Sequence, residues 1–384
     1  MTTRARLILL AGGIAVVVWA ALHLSSVGAS WSGAWRQLGT VTWQWLAALG
    51  VVWLAGLCVH TIVLSAAMPG LTHRRALTLN LAGSALSNVL PLGGVAGTAL
   101  NLAMVRGWGH GNLDFARFVM LSKAWDTAAK LFMPLVAVGT LLATGSLDAG
   151  PNGMLWLATA VFAAGTGLLL VTALFGRAGP LLRVVAFAER LRHRRPGYGA
   201  GAPSAVPGWT ATAAALLDGT DQLVRSRWAA LTWGMISYWL MQGALWWLCL
   251  LAIGAAMPWP LVVAGLVTER LLTLAGITPG GAGLIEAGTV GVLIGLGADA
   301  IGALAGVLLF RAFIFVAEIP VGGLAAALWL LTRRTTPRTG PSRPEPPCGS
   351  PTSPTSSCPA SAVSSSRSTT SAPASCTADT SRPS

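Results

Sequence analysis

Charged side chains are scarce in this chain. Asp, Glu, Lys and Arg make up 10% of its 384 residues, against about 25% in soluble domains. Hydrophobic residues make up 54%, and no charged side chain lies between Arg227 and Glu269 or within 154–175. A soluble fold could not cover this much apolar sequence with so few polar groups. Because an apolar helix of about 20 residues spans a hydrocarbon core of ~30 Å, the composition predicts an all-α polytopic membrane protein.

The chain also lacks the residue spacings of a metal site or an enzyme centre. Its five cysteines and five histidines are dispersed, without a CxxC or HxxxH pair that would indicate zinc or a redox dithiol. Asp218 and Asp221 invite a metal site, but Asp also favours the start of a helix, and we prefer that interpretation. We therefore expect no metal, no cofactor and no enzyme activity, since no catalytic constellation is found.

Basic residues outnumber acidic ones by 25 to 12, which gives a net charge of +13. In a soluble protein this excess would suggest nucleic acid. Here the arginines lie beside apolar segments, where they set topology and contact anionic lipid. We expect membrane lipids as partners and no nucleic acid, and we leave a homo-oligomer open.

Six apolar stretches are predicted to cross the membrane completely: Leu7–Leu24, Trp45–Met68, Phe118–Leu142, Met154–Phe175, Ala229–Ile253 and Ala300–Leu331. Loops rich in arginine stay cytoplasmic, so both termini are expected in the cytoplasm of a multi-pass protein of the cell (inner) membrane. Residues 177–228 form a basic cytoplasmic linker, and its second half resembles an amphipathic helix on the membrane surface. After a transmembrane domain of residues 1–334, the Ser/Thr/Pro-rich sequence 335–384 predicts a disordered cytoplasmic tail.

Two further apolar stretches, Leu77–Val105 and Leu261–Gly297, are broken by Pro-Gly clusters. Their tips read NVLPLGGVAGTALN at Asn88–Asn101 and GITPGGAGLIEAG at Gly276–Gly288. Most of the half-segments are too short to cross ~30 Å, so we expect two re-entrant or broken helical hairpins that enter from opposite sides. This pattern predicts an inverted repeat whose tips meet near the midplane and form a binding site. Chance similarity between Gly/Pro-rich segments is the alternative.

The candidate substrate-binding residues surround these two breaks. Backbone groups freed inside a membrane need protein or water as partners, so the tips should border a cavity; tight helix packing is the alternative. We expect Arg311 to pair with Glu286 or Glu269, either in a polar, partly positive cavity or as a purely structural ion pair. Arg311 and Glu318 lie seven residues apart in the last crossing, on one face of the helix. The full candidate set is Pro91, Gly93, Gly94, Gly97, Asn101, Lys130, Glu269, Arg270, Pro279, Gly280, Gly281, Gly283, Glu286 and Arg311.

The chain resembles the flippase-type transmembrane domain of lysylphosphatidylglycerol synthases and its stand-alone relatives. The resemblance rests on two stretches of sequence. The first is ITPGGAGLIEAG at Ile277–Gly288, with Glu269 and Arg270 upstream, and the second is LPLGGVAG at Leu90–Gly97. Many relatives have a Gly-Glu and a following Arg after the first tip, where this chain has Thr98. The missing charges bear on which headgroup is recognised.

The resemblance implies flipping or transport and not lipid aminoacylation, because we expect a stand-alone member without the synthase domain. We therefore expect a flippase-like transporter that moves an anionic or modified lipid headgroup through a central polar cavity. Two alternatives stay open: a membrane-embedded enzyme that acts on a lipid-linked substrate, and a non-catalytic envelope scaffold.

Overall fold

The computed structural model describes residues 30–90, 93–147, 151–174, 209–255, 257–274 and 279–335. Within these ranges the regular structure is helical and contains no strand. The predicted crossing Leu7–Leu24, residues 177–208 of the linker, the tail from residue 336 and Pro91 lie outside the described residues.

The described residues form eleven α-helices, a 3₁₀ turn and a π-helical segment. In chain order they are α1 (Trp31–Leu38), α2 (Trp43–Ala67), α3 (His73–Val89), α4 (Gly93–Gly107), α5 (Asn112–Ala143), α6 (Pro151–Leu174), α7 (Trp209–Ala252), α8 (Trp259–Leu272), the 3₁₀ turn (Pro279–Gly281), α9 (Leu284–Gly295), α10 (Ala300–Arg311), the π-segment (Ala312–Val316) and α11 (Glu318–Thr335).

Short polar side chains define where several of these helices begin. Ser30 accepts a hydrogen bond from the Gly33 amide at the start of α1, and Asp299 accepts one from the Gly302 amide at the start of α10. Such N-caps satisfy amides that have no partner within the helix. The caps therefore fix the ends of these helices where the apolar sequence alone would not.

Among the residues that the structure describes, four helical stretches are long and apolar enough to cross a membrane: Trp43–Ala67, Asn112–Ala143, Thr210–Ala252 and Ala300–Arg333. They coincide with four of the predicted crossings, and α6 overlies a fifth, with a shorter apolar stretch at Gly153–Leu169. Large side chains such as Phe162 and Leu240 point outward, 78% and 64% exposed. A surface of this kind suits hydrocarbon and not water, so the polytopic membrane architecture is confirmed.

Each of the two broken stretches forms two consecutive helices that pack on one another, as expected of a helical hairpin. The first is α3 with α4 and the second is α8 with α9. Their arms have 17, 15, 14 and 12 residues, which correspond to about 26, 22, 21 and 18 Å. Each arm is shorter than a hydrocarbon core of ~30 Å.

Glycine allows the arms of the first hairpin to approach closely. Gly97 of α4 is buried against the Ser87 side chain and the Gly83 carbonyl of α3. A Cβ atom at position 97 would collide with both. The same hairpin packs along α11 through α3, so its first arm is held against that helix.

Two features of helix continuity did not follow from the sequence. The amphipathic segment before the fifth crossing is helical, as expected, and it is continuous with that crossing, because α7 runs for 44 residues from Trp209 to Ala252. The last crossing is not one α-helix, because Ala312–Val316 adopts a π-helical conformation. Pro320 lies four residues after Val316 and has no amide to donate to its carbonyl, which explains why the helix is irregular here.

Replacing Gly97 with Ala is expected to destabilise the first hairpin. The added methyl group meets backbone atoms that cannot move away, and such overpacking costs roughly 1–3 kcal/mol. Gly94→Ala is the matched control, because it lies about one turn away in the same helix and a methyl group there would have no other atom within 4 Å. The measurement is thermal unfolding of the purified proteins in detergent. Equal unfolding temperatures for the two variants would contradict the close approach.

Candidate functional site

The second helix break places three glycines where the chain turns sharply. Gly280, Gly281 and Gly283 have φ values of 57°, 72° and 84°, in the left-handed region that glycine adopts without strain. The ring of Phe315 lies directly against Gly280, so a side chain at position 280 would collide with it. The break is therefore packed against the π-segment of the last crossing.

Glu286 and Arg311 hold this break together. One carboxylate oxygen of Glu286 accepts the Gly283 amide at 2.6 Å, and the other accepts Nε of Arg311 at 2.8 Å. Arg311 Nη2 donates to the Gly280 carbonyl at 2.6 Å. The expected pairing of Arg311 with Glu286 is present, and both side chains also bind peptide groups that the break leaves free.

Glu269 and Arg270 extend the cluster from the end of α8. Glu269 lies 3.8 Å from Arg311 Nη1, and its other oxygen lies 2.6 Å from Nε of Arg270. The side chains of these two residues are 3% and 8% exposed. Two carboxylates and two guanidinium groups thus balance in a nearly dry interior, where unpaired charge is costly.

Arg270 differs from the other arginine because its hydrogen bonds are incomplete. Its guanidinium carbon lies 5.2 Å from the ring centres of both Trp239 and Phe310. Among the described residues its Nε and Nη2 atoms have no hydrogen-bond partner, although a carboxylate oxygen of Glu269 lies 2.6 Å from Nε. Buried donors are usually satisfied, so Nη2 is the nitrogen that is available to a ligand, while the Glu269 carboxylate occupies the space beside Nε.

Lys130 of α5 approaches the cluster from the other side of the bundle. It forms an ion pair with Asp126, 2.8 Å away on the same helix. Its ammonium group lies 5.8 Å from the centre of the Trp239 ring, which Arg270 also contacts. A single indole ring therefore connects Lys130 with the cluster.

The tips of the two hairpins come together at the π-segment. Asn88, near the end of α3, donates to the Phe315 carbonyl at 3.5 Å, and α3 contacts the 3₁₀ turn of the second hairpin. Glu318 follows the π-segment and interacts with Ser84 and Asn88 of the first hairpin. The π-segment is thus bounded by both breaks.

The remaining candidates of the first hairpin lie apart from the charged cluster. Asn101 packs against Gly83 within the hairpin, Gly97 forms the close contact described above, and Gly94 is exposed. Gly93 begins α4. Pro91 is outside the described residues. In the second hairpin, the candidate Pro279 contributes the backbone of the 3₁₀ turn.

Sequence reasoning missed Trp239 and Phe315, and it did not anticipate the π-segment between Arg311 and Glu318. A π-turn holds one residue more than an α-turn, so the seven-residue spacing alone does not place these two side chains on one face. Pro320 was the available signal for this irregularity. Nothing in the apolar sequence around Trp239 distinguishes that tryptophan from its neighbours.

Two clefts lie near the ends of the bundle and not at the cluster. One of about 480 Å³ is lined by Gln37 and Asp299, and one of about 440 Å³ is lined by His110, Arg117 and Arg227. Neither lining includes a residue of the charged cluster. Within the described part of the chain, no group of three metal-ligating side chains occurs.

Comparison with known proteins identifies the family. The family model of the lysylphosphatidylglycerol synthase TM region matches residues 7–322, which include both hairpins and the charged cluster. No curated protein and no solved structure matches the chain. The resemblance carried by the two Pro-Gly tips is therefore confirmed, and the chain belongs to the lysylphosphatidylglycerol synthase transmembrane-region family.

Proposed function

We propose that this protein is a transporter that moves the headgroup of an anionic phospholipid between the leaflets of the cell membrane. The observation that carries the proposal is the buried guanidinium group of Arg270, which has two nitrogens without a hydrogen-bond partner in the described structure. Family membership supports a role connected with lipids.

A phosphate group can complete the hydrogen bonding of Arg270. Guanidinium donates N–H groups to phosphate oxygens, Nη2 has no hydrogen-bond partner among the described residues, and Trp239 and Phe310 hold the guanidinium plane in place. Nε becomes a second donor to the phosphate when Glu269, now 2.6 Å away, leaves it. Arg311 is less suited to this role, because Glu286 and the Gly280 carbonyl already accept its hydrogen bonds. We assign ligand binding to Arg270 and maintenance of the break to Arg311.

The contacts between helices support an inverted repeat of re-entrant hairpins. α2 packs along α7, while the first arm of each hairpin packs on a helix of the other half: α3 on α11 and α8 on α5. A two-fold operation that exchanges α2 with α7, α3–α4 with α8–α9, and α5 with α10–α11 maps each of these contacts onto another. Inverted repeats of this type place the substrate site where their broken helices meet.

Transport requires the cluster to open, since its four charged side chains are between 3% and 14% exposed. A phosphate at Arg270 supplies the hydrogen bonds that Glu269 does not complete, so binding weakens the attraction that closes the cluster. The two hairpins are the elements that move, because helix breaks and not continuous helices join them to the charged cluster. We propose no covalent step, because both glutamates of the cluster are engaged with arginines.

Replacing Arg270 with Gln is expected to slow lipid flipping by roughly tenfold or more, equivalent to about 1.4 kcal/mol. The assay uses phosphatidylcholine liposomes that contain a trace of NBD-labelled phosphatidylglycerol, with dithionite to bleach the outer leaflet. Arg74→Gln is the control, because Arg74 is exposed on the first turn of α3. A wild-type protein that flips neither NBD-phosphatidylglycerol nor NBD-phosphatidylcholine would overturn the proposed function.

Removing the charge of Glu286 is expected to act on stability. Losing one partner of a buried ion pair costs about 3–5 kcal/mol, whereas an exposed pair contributes about 0–1 kcal/mol. Glu286→Gln should therefore lower the thermal unfolding temperature in detergent far more than Asp221→Asn, which breaks the more exposed pair with Arg225.

Exchanging the charges, with Glu286→Arg and Arg311→Glu together, should not restore that stability. Arginine cannot accept the Gly283 amide, and glutamate cannot donate to the Gly280 carbonyl. Full recovery in the double variant would show that the two residues act as an ion pair alone.

A further inference from the structure

Glu318 is a half-buried carboxylate in the last crossing, and no cation of the described residues forms an ion pair with it. Three other carboxylates of the interior have ion pairs: Asp126 with Lys130, Glu269 with Arg270, and Glu286 with Arg311. No Lys or Arg nitrogen of the described residues lies within the 4.0 Å that defines an ion pair with Glu318.

Neutral groups surround this carboxylate on the side of the first hairpin. Ser84 and Asn88 of α3 interact with it directly, and Asn88 also binds the Phe315 carbonyl of the π-segment. The charged and titratable groups that act on it from the other helices are Arg270 of α8, Arg311 of α10 and Tyr238 of α7. Both arginines are already engaged with Glu269 and Glu286.

An uncompensated carboxylate inside a membrane is expensive, and such residues commonly mark proton or ion pathways. Glu318 can avoid the energetic cost of an unpaired charge in two ways: it can bind a proton, or it can form an ion pair with Arg270. The ion pair forms only when Arg270 has left Glu269 or holds no phosphate. The state of Glu318 is therefore tied to the state of the proposed headgroup site.

We propose that Glu318 is a proton-binding site that couples lipid transport to the proton gradient. When Glu318 is ionised, its negative charge acts on Arg270 and disfavours an anionic headgroup there. When Glu318 takes a proton from one side of the membrane, that repulsion is lost and the phosphate binds. By reciprocity, a bound phosphate favours protonation, so proton and headgroup bind together, and the proton leaves on the side where the headgroup is released.

The position of Glu318 explains how its charge reaches the moving parts. It begins α11 directly after the π-segment, and it interacts with the tip of the first hairpin through Ser84 and Asn88. The ring of Phe315 in the π-segment packs on Gly280 of the second tip. Protonation at Glu318 thus alters contacts at a junction shared by both hairpins.

This inference rests on the proposed function, but proton binding is measurable without transport. Infrared difference spectra of the protein in lipid, recorded between acidic and neutral pH in sodium-free buffer, report the C=O stretch of protonated carboxylic acids. We expect a titrating band that disappears in Glu318→Gln and persists in Asp218→Asn, an exposed control. Glu318→Asp should retain a titrating band at a changed frequency, which identifies the site even if the Gln variant folds poorly.

The coupling itself is measured in the liposome assay with NBD-phosphatidylglycerol. We expect a pH gradient of about two units, which is worth about 2.7 kcal/mol per proton, to change the initial rate for the wild-type protein several-fold. Glu318→Gln should flip lipid without responding to the gradient, and Asp218→Asn should respond as the wild type does.

Each other outcome overturns the inference. Identical infrared spectra for the wild type and Glu318→Gln exclude proton binding at this residue, whether or not the protein flips lipid. A band that added sodium removes at constant pH assigns the site to sodium instead. A titrating band combined with flipping that ignores the gradient excludes coupling, while the proposed function stands.

Discussion

An interrupted helix that is buried among other helices must find partners for the peptide groups that the interruption frees. In this protein Glu286 accepts the amide that opens α9, and Arg311 donates to the carbonyl of Gly280 on the other side of the turn. Because the two side chains also bind each other through one hydrogen-bonded ion pair, this pair and its two peptide contacts fix the second hairpin to the last crossing. The remainder of the central cluster is arranged around that contact.

The same constraint accounts for the irregular last crossing. The π-segment brings Phe315 against Gly280 of one hairpin, and its carbonyl accepts the Asn88 amide of the other. Each interrupted helix therefore finds hydrogen-bonding or packing partners in another interrupted helix. Such a junction has few regular hydrogen bonds to lose when the hairpins shift, which suits a protein whose proposed work is to open and close around a headgroup.

Two groups of the described interior are left incompletely satisfied. Arg270 pairs with Glu269 but has donors without hydrogen-bond partners, and Glu318 has a carboxylate without a cation within ion-pair distance. These two groups act on each other across the junction, beyond the distance of an ion pair. An anionic headgroup at Arg270 and a proton at Glu318 would satisfy both groups together. Headgroup binding and proton binding therefore depend on one electrostatic balance.

Much of the architecture follows from local sequence. Long apolar runs predicted the helices α2, α5, α6 and the second half of α7, and the Pro-Gly clusters predicted the two helix breaks, because an apolar helix and a broken one have distinct compositions. The length of α7 and the π-segment did not follow. Neither depends on local preference alone: amphipathic and apolar segments join into one helix only if the fold supports their common axis.

The candidate site divides in the same way. The sequence by itself determined that Glu269, Arg270, Glu286 and Arg311 lie in apolar surroundings beside a helix break, since buried charges require partners and few are on offer. Only the tertiary structure decided which charges pair, that Arg270 keeps open donors between Trp239 and Phe310, and that Glu318 faces the first hairpin. The reason is that those facts depend on the relative rotation and depth of helices far apart in the chain, which no local pattern encodes.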